Sequence, residues 1–125
     1  IISSNFRKNH QTQIIFFMNE KLPDIIICLN ELSTTCVYQA VVDYNCVGEV
    51  AILGYYDTDT ILKAIERNVV NATISIDTEQ MGAFCVDALQ EYYRFGYTSQ
   101  YFTADVTIID QNNVGEYLQA QEATE

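Results

Sequence analysis

Side chains able to catalyse a reaction are scarce in this sequence. It has one histidine, His10, and no Gly-x-Ser-x-Gly, Gly-x-x-x-x-Gly-Lys or Gly-x-Gly-x-x-Gly pattern, so it lacks the means for a histidine-based triad or a glycine-rich phosphate loop. Asp57 and Asp59 could chelate a hard cation, but two carboxylates beside a helix start are more often helix caps. We therefore expect no enzymatic activity, no bound metal and no cofactor.

Residues suited to binding a small molecule follow three short apolar runs. In an open parallel sheet, ligands bind at the carboxyl ends of the strands, and the residues at those ends are Asn30, Tyr55, Tyr56 and Ile76. An asparagine amide both donates and accepts hydrogen bonds, and a tyrosine ring can lie against the apolar side of a sugar. The alternative is that Asn30 caps the next helix and that both tyrosines belong to the core.

The charge of the chain argues against two kinds of partner. Six basic residues face seventeen acidic ones, for a net charge of −11. Nucleic acids and anionic lipids are both bound largely through Lys and Arg, so we expect this segment to contact neither. The acidity is typical of a solubilising surface.

The cysteines show no pattern of a metal site. Cys28, Cys36, Cys46 and Cys85 have no Cys-x-x-Cys spacing and no histidine nearby, so zinc is not expected. Cys28 lies in an apolar run and Cys85 on an apolar helix face, where a thiol behaves as a small hydrophobe. Four unpaired thiols suit a reducing cytosol or the surface of an anaerobe.

Strand and helix patterns alternate along the chain and predict an α/β fold with a doubly wound, mainly parallel sheet. The run 25–29 is expected to be a strand buried on both faces. The clearest helix is capped by Asp77 or Thr78 and carries an apolar stripe at helical spacing, which consists of Met81, Phe84, Cys85, Ala88, Leu89 and Tyr92. The other predicted strands are a strand end at Ile1–Ile2 and strands at 50–53, 72–76 and 104–109. The other predicted helices are one that runs to about Glu20, one that carries Val37 to Tyr44 and breaks at Val47–Gly48, and one that is capped by Thr58 or Asp59. Residues 119–125 are expected to form a polar tail.

Four segments, taken in order, resemble one family. They are PDIIICLNE at 23–31, ILGYY at 52–56, IERNVVNATISI at 65–76, and Met81-Gly82. Together they resemble the type I periplasmic binding proteins, which are the solute-binding proteins of sugar ABC transporters, and the related effector domains of LacI-type repressors. The resemblance covers about residues 23 to 90 without gaps.

The resemblance also implies which residues contact the ligand. The family's asparagine corresponds to Asn30, whereas its aspartate and glutamine fall on Tyr56 and Ile76. Asp57, one place later, could replace the missing carboxylate. The implied ligand is sugar-like and would be held by fewer hydrogen-bonding groups than is usual in the family.

A protein of this family has two lobes that close around the ligand. The resemblance implies that residues 1–118 form the carboxyl-terminal lobe, that 77–95 is a hinge-crossing helix, and that 119–125 is a tail. Because the chain begins at Ile1 without a methionine, we expect it to be a fragment. In isolation it could bury the apolar stripe of that helix in a homodimer.

The leading functional hypothesis is an extracytoplasmic solute-binding protein that delivers a sugar-like ligand to an ABC transporter permease or a membrane sensor kinase. The alternative is the effector-binding domain of a cytoplasmic LacI-type transcriptional regulator, which the four cysteines favour. A phosphoacceptor enzyme on the same sheet is less favoured, because it would need an acidic cluster and a lysine at the strand ends.

Overall fold

The computed structural model describes residues 21–122 of the chain. Within that range, four strands alternate with four helices. The predicted strand end at Ile1–Ile2 and the predicted helix before Glu20 lie outside the described residues. The bounds are β1 Ile25–Ile27, α1 Glu31–Asp43, β2 Ala51–Tyr55, α2 Asp59–Glu66, β3 Ala72–Ile76, α3 Thr78–Phe95, β4 Val106–Asp110 and α4 Val114–Glu122.

The strands form one sheet in the order β1-β2-β3-β4. β1 pairs with β2 in parallel, with Ile26 opposite Ile52, and β2 pairs with β3 in parallel, with Gly54 opposite Thr73. A helix lies between each pair of consecutive strands, as the crossover between parallel strands requires. The predicted α/β class with a mainly parallel sheet is confirmed.

The described residues divide into two compact units. One contains the residues up to Ile74 and from Ile108 onward, and the other is Ser75–Thr107. The chain passes from one unit to the other twice, once within β3 and once within β4.

The core of the first unit joins the sheet to α1, α2 and α4. Successive strand side chains point to opposite faces of a sheet, and on β2 it is Ile52 and Gly54 that are buried. Helical spacing brings apolar side chains of the helices against that same face. The helix residues in the core are Val37, Ala40 and Val41 of α1, Ile61, Leu62, Ala64 and Ile65 of α2, and Val114 of α4.

β1 is shorter and more exposed than predicted. Only Ile25–Ile27 is a strand, and the side chains of Ile25 and Ile27 are 55% and 59% exposed. They lie on the sheet face opposite the core, so the prediction of a strand buried on both faces is wrong for the described residues. A continuous apolar run identifies a strand that could be buried, but it does not show whether helices cover both faces of the sheet at that strand.

The predicted helix that carries Val37 to Tyr44 ends earlier than expected. α1 stops at Asp43 instead of at Val47–Gly48, and Tyr44 becomes its C-cap with 44% of its surface exposed. Asn45 then takes a φ of 57°, a left-handed conformation that asparagine tolerates.

The carboxyl-terminal helix α4 was not predicted, and it extends through Glu122 into the expected polar tail. Val114 is buried, and Tyr117 and Leu118 pack against the core cluster. Three apolar residues at helical spacing therefore pack a helix against the core although its other residues are mainly polar.

The second unit is built on α3. Asp77 caps its first turn, since its Oδ1 accepts a hydrogen bond from Gln80 N at 2.8 Å, and Gly96 ends the helix with a φ of 76°. The helix is where the pattern predicts it, yet no α3 residue is buried. Leu89 and Tyr92 of the apolar stripe are each 58% exposed.

The four cysteines remain thiols, with Cys28 and Cys36 buried and Cys85 exposed. Cys85 therefore does not act as the small core hydrophobe expected from its place in the stripe. Among residues 21–122, no three potential metal ligands come together. In the same range, no helix has both the length and the apolar character needed to span a bilayer.

Candidate functional site

Asn30 follows β1 at the carboxyl edge of the sheet and caps α1. Its Oδ1 accepts a hydrogen bond from Ser33 N at 2.8 Å, which also fixes which end of the amide is turned away from the helix. The side chain is exposed, and its Nδ2 has no hydrogen-bond partner within residues 21–122. The amide can therefore cap the helix with its oxygen and donate to a ligand with its nitrogen.

Thr34, one turn into α1, connects Asn30 to the end of β2. Its Oγ1 donates to Asn30 O at 2.9 Å and accepts from Tyr55 N at 2.9 Å. The residue is fully buried, so neither bond competes with water. Two residues predicted from separate motifs, Asn30 and Tyr55, are thus brought to the same edge of the sheet.

The backbone changes direction at Tyr56, immediately after β2. Tyr56 has a φ of 82°, which is uncommon for a residue with a side chain and costs on the order of 1–3 kcal/mol. Its N donates to Ile74 O at 2.7 Å, and its O accepts from Thr73 Oγ1 at 2.7 Å. Because β3 holds both backbone groups, this conformation is fixed from two sides.

The two tyrosines have different surroundings. Tyr55 continues the alternation of β2 and is half-buried on the face opposite Gly54. Tyr56 is half-buried and packs against the core cluster of the first unit. The core alternative considered for both tyrosines therefore applies to Tyr56, whereas Tyr55 is not part of that cluster.

Gly54 allows the side chains of the two threonines to approach the end of β2 closely. A Cβ at this position would lie 2.7 Å from Thr34 Cγ2 and 3.1 Å from Thr73 Oγ1. Both distances are shorter than ordinary van der Waals contact, so any larger residue would displace at least one threonine.

Asp57 starts the loop into α2 and is half-buried. Its carbonyl oxygen accepts a hydrogen bond from Gln121 Nε2 at 2.9 Å, which ties α4 to this loop. The strand-end segments 28–31 and 55–60 contain Glu31, Asp57 and Asp59 but no Lys, Arg or His. Such an edge favours an uncharged solute over an anionic one.

Ile76 belongs to the second unit and is the half-buried last residue of β3. It offers no polar group to a ligand. The next residue, Asp77, uses its carboxylate to cap α3, and its N donates to Asp105 O at 3.0 Å.

The thiol of Cys28 lies in the core next to Thr34. Burial raises the pKa of this thiol, a hydrogen bond with Thr34 opposes the rise, and the nearby Cys36 adds to it. The thiol is therefore protonated at neutral pH and contributes no charge to the edge of the sheet.

The prediction from the sequence did not include three residues of this arrangement, which are Thr34, Gly54 and Thr73. A signal existed for Thr34, because a threonine four residues after a cap can bond to the backbone of the preceding turn. No such signal exists for the closeness of Gly54 and Thr73, which depends on the pairing register of β2 with β3.

Solved structures share this architecture. The XylFII–LytSN complex matches with a TM-score of 0.71 and 23% identity, over 82% of this chain and 36% of that chain. An ABC transporter periplasmic solute-binding protein from Actinobacillus succinogenes with bound D-allose gives a TM-score of 0.78 and 12% identity, over 89% and 39%. The Caulobacter myo-inositol-binding protein bound to myo-inositol gives 0.74 and 18%, over 88% and 38%.

This chain has the fold of the type I periplasmic binding proteins. The predicted resemblance is thereby confirmed for the fold, which is what identities below 25% can establish. The chain spans only 36–39% of the length of these three solved proteins. No family model matches the sequence, and no curated protein matches it either.

Proposed function

We propose that the intact protein binds a small polar solute, a sugar or related polyol, without transforming it chemically. The observation that supports this most directly is that Asn30, Tyr55 and Asp57 lie at or just after the carboxyl ends of parallel strands, where ligands of open α/β sheets bind. Support comes from solved proteins of this fold that hold D-allose and myo-inositol.

Each residue has a chemical role in this proposal. Asn30 Nδ2 donates to a solute hydroxyl, the Asp57 carboxylate accepts from hydroxyls, and the Tyr55 ring lies against C–H groups of the solute. Tyr56 shapes the wall beside Tyr55. The lack of basic side chains in segments 28–31 and 55–60 makes a phosphorylated or acidic sugar a poor fit.

The proposal includes a two-lobed protein with the site in the interlobe cleft. Residues 1–118 would form the carboxyl-terminal lobe apart from 77–95, which would cross the hinge. The unit boundary after Ile74 and the 36–39% share of the solved proteins' length support this division. The rest of the protein would cover the exposed stripe of α3, and an isolated fragment would cover it in a homodimer.

In this role the protein works outside the cytoplasm and passes its solute to an ABC transporter permease or to a membrane sensor kinase. The complex of XylFII with LytSN supports assembly of a protein of this fold with a protein partner. The periplasmic solute-binding protein from Actinobacillus succinogenes supports the location.

The direct test is a thermal-shift screen of the intact protein against neutral sugars, cyclitols, acidic sugars and amino acids. A solute at 100 times its Kd stabilises the folded state by about 2.7 kcal/mol, which a melting curve resolves. We expect the largest rise in Tm from a neutral sugar or cyclitol. A clear rise from an amino acid, with none from any carbohydrate, would overturn the proposal.

Two substitutions test the site itself. Asn30→Asp keeps an oxygen to cap α1 but removes the Nδ2 donor, so we expect the Kd of the identified sugar to rise about tenfold, the cost of one lost hydrogen bond of about 1.4 kcal/mol. Tyr55→Ala should weaken binding by a similar factor. Tyr44→Ala is the matched control, since Tyr44 lies at the other end of α1. An unchanged Kd in both site variants would exclude this edge as the binding site.

The effector-binding domain of a LacI-type regulator is the second candidate. It is favoured by the four cysteines, which remain thiols as is usual in a reducing cytosol. The amino-terminal sequence of the intact protein discriminates between the two, because a helix-turn-helix would indicate the regulator and a secretory or lipoprotein leader the solute-binding protein.

A further inference from the structure

The side-chain hydroxyls of Thr34 and Thr73 both form hydrogen bonds with the backbone of the short segment Gly54–Tyr56. Thr34 accepts from Tyr55 N at 2.9 Å, and Thr73 donates to Tyr56 O at 2.7 Å. Both threonines are 0% exposed. We call Thr34, Gly54 and Thr73 the threonine clasp.

The clasp contacts a backbone conformation that neighbouring residues must stabilise. The φ of 82° at Tyr56 persists in a folded protein only when its surroundings determine it. Tyr56 N is held by Ile74 O at 2.7 Å, and Thr73 holds the carbonyl of the same residue. Thr34 fixes the residue before it and, through Asn30 O at 2.9 Å, the loop that carries the exposed amide.

We propose that Thr34 and Thr73 are positioning residues of the solute site: their hydroxyls set the relative placement of Asn30, Tyr55 and Tyr56 without touching the solute. This inference rests on the proposed function. Side chains that bind must be held to within a fraction of an ångström by buried partners, and for these three residues the clasp supplies that support through two hydroxyl groups.

The test uses variants that separate the hydroxyl from the rest of the side chain. Thr34→Val and Thr73→Val keep the shape and remove the hydrogen bond, whereas Thr34→Ser and Thr73→Ser keep the hydroxyl and remove a methyl group. All four should lower Tm. The matched control is Asn71→Ala, because Asn71 Oδ1 accepts from Ile52 N at 2.8 Å, a side-chain bond to the same strand but outside the clasp.

One readout is binding of D-allose and of myo-inositol to the full-length protein by calorimetry. The valine variants should raise the Kd of the bound probe at least about tenfold, as expected for a displaced binding group, and the serine variants by no more than about threefold. Asn71→Ala should lower Tm and leave the Kd unchanged. Serine variants that lose as much affinity as the valine variants, or valine variants that bind normally, overturn the positioning role.

A second readout needs no solute. Amide hydrogen exchange at Tyr55 and Tyr56 should accelerate at least about tenfold in the valine variants and stay slow in the serine variants, because exchange reports local opening. If the wild-type protein binds no carbohydrate of the thermal-shift screen, the proposed function is what fails, and exchange alone then decides the clasp. Unchanged exchange in both valine variants overturns it.

Discussion

The two compact units bury their helices to very different extents. In the first unit, α2 has only eight residues, yet it buries four of them, and Leu62 and Ile65 are 0% exposed. In the second unit, α3 has eighteen residues and the longer apolar stripe, yet buries none. The difference teaches that a helical apolar period identifies the face suited for burial, whereas burial itself depends on whether another element lies against that face.

The largest expected effect comes from the same leucine truncation in the two helices. Leu62→Ala removes a side chain that is 0% exposed and should lower the free energy of unfolding by about 2–5 kcal/mol. Leu89→Ala, at a position 58% exposed, should cost no more than about 0.5 kcal/mol in the isolated chain. Urea unfolding of both variants measures the difference.

Measuring Leu62→Ala and Leu89→Ala in the full-length protein as well tests whether another part of the protein covers α3. If the rest of the protein covers α3, Leu89→Ala should there become clearly more destabilising than in the isolated chain. A large loss from Leu89→Ala in the isolated chain at a concentration where it is monomeric would contradict the exposed stripe.

A glycine-to-alanine pair should change stability in opposite directions in the two units. Gly54→Ala places a Cβ 2.7 Å from Thr34 Cγ2 and should destabilise the chain by about 1–3 kcal/mol, as overpacking does. Gly82→Ala meets nothing within 4 Å in the interior of α3 and should stabilise it by about 0.5–1 kcal/mol. Thermal unfolding gives both signs, and a neutral Gly54→Ala would show that the threonine clasp is not tightly packed.

The helix caps offer a smaller contrast. Asp77 makes a side-chain cap bond to Gln80 N, whereas Thr58 at the start of α2 makes none. Asp77→Ala should therefore cost about 1 kcal/mol. Thr58→Ala should cost less than about 0.5 kcal/mol, because the buried Thr58 Oγ1 has no partner within the described residues and its removal leaves no bond broken. Equal losses in denaturant unfolding would contradict this assignment of the caps.

The smallest expected effect is a local pH dependence in the second unit. Glu91 accepts hydrogen bonds from Ser99 N at 2.7 Å, from Ser99 Oγ at 3.0 Å and from Thr98 Oγ1 at 3.3 Å, and these bonds hold the pKa of its carboxyl below the ordinary range. Because the folded pKa is lowered, the attachment of Ser99 to α3 is complete above the ordinary glutamate pKa and is lost as pH falls through the folded pKa.

The amide chemical shift of Ser99 should follow this titration, with a midpoint below that of an ordinary glutamate. Glu91→Gln should abolish the pH dependence, and Glu116→Gln in α4 of the first unit is the matched control that should leave it intact. A midpoint at or above the ordinary glutamate value would show that the bonds to Ser99 do not form in solution.

Much of the fold could be predicted because local sequence patterns encode several of its strands and helices. The strand at 72–76 and the helix starting after Asp77 were predicted with the bounds that the structure shows, since alternation, helical spacing and a capping aspartate are properties of neighbouring residues. The helix at 114–122 was missed because only Val114, Tyr117 and Leu118 in it are large apolar residues, and its stability comes from docking on the core.

The candidate site divides in the same way. The sequence by itself determined which residues end the strands, and Asn30 was recognised there together with its capping alternative. Only the tertiary structure decided that Thr34 and Thr73 close on Gly54, that Tyr56 takes a positive φ, and that β1 leaves Ile25 and Ile27 exposed. These features depend on strand register and on which sheet face the helices cover. Both are set by contacts between residues far apart in the chain, which a local pattern does not encode.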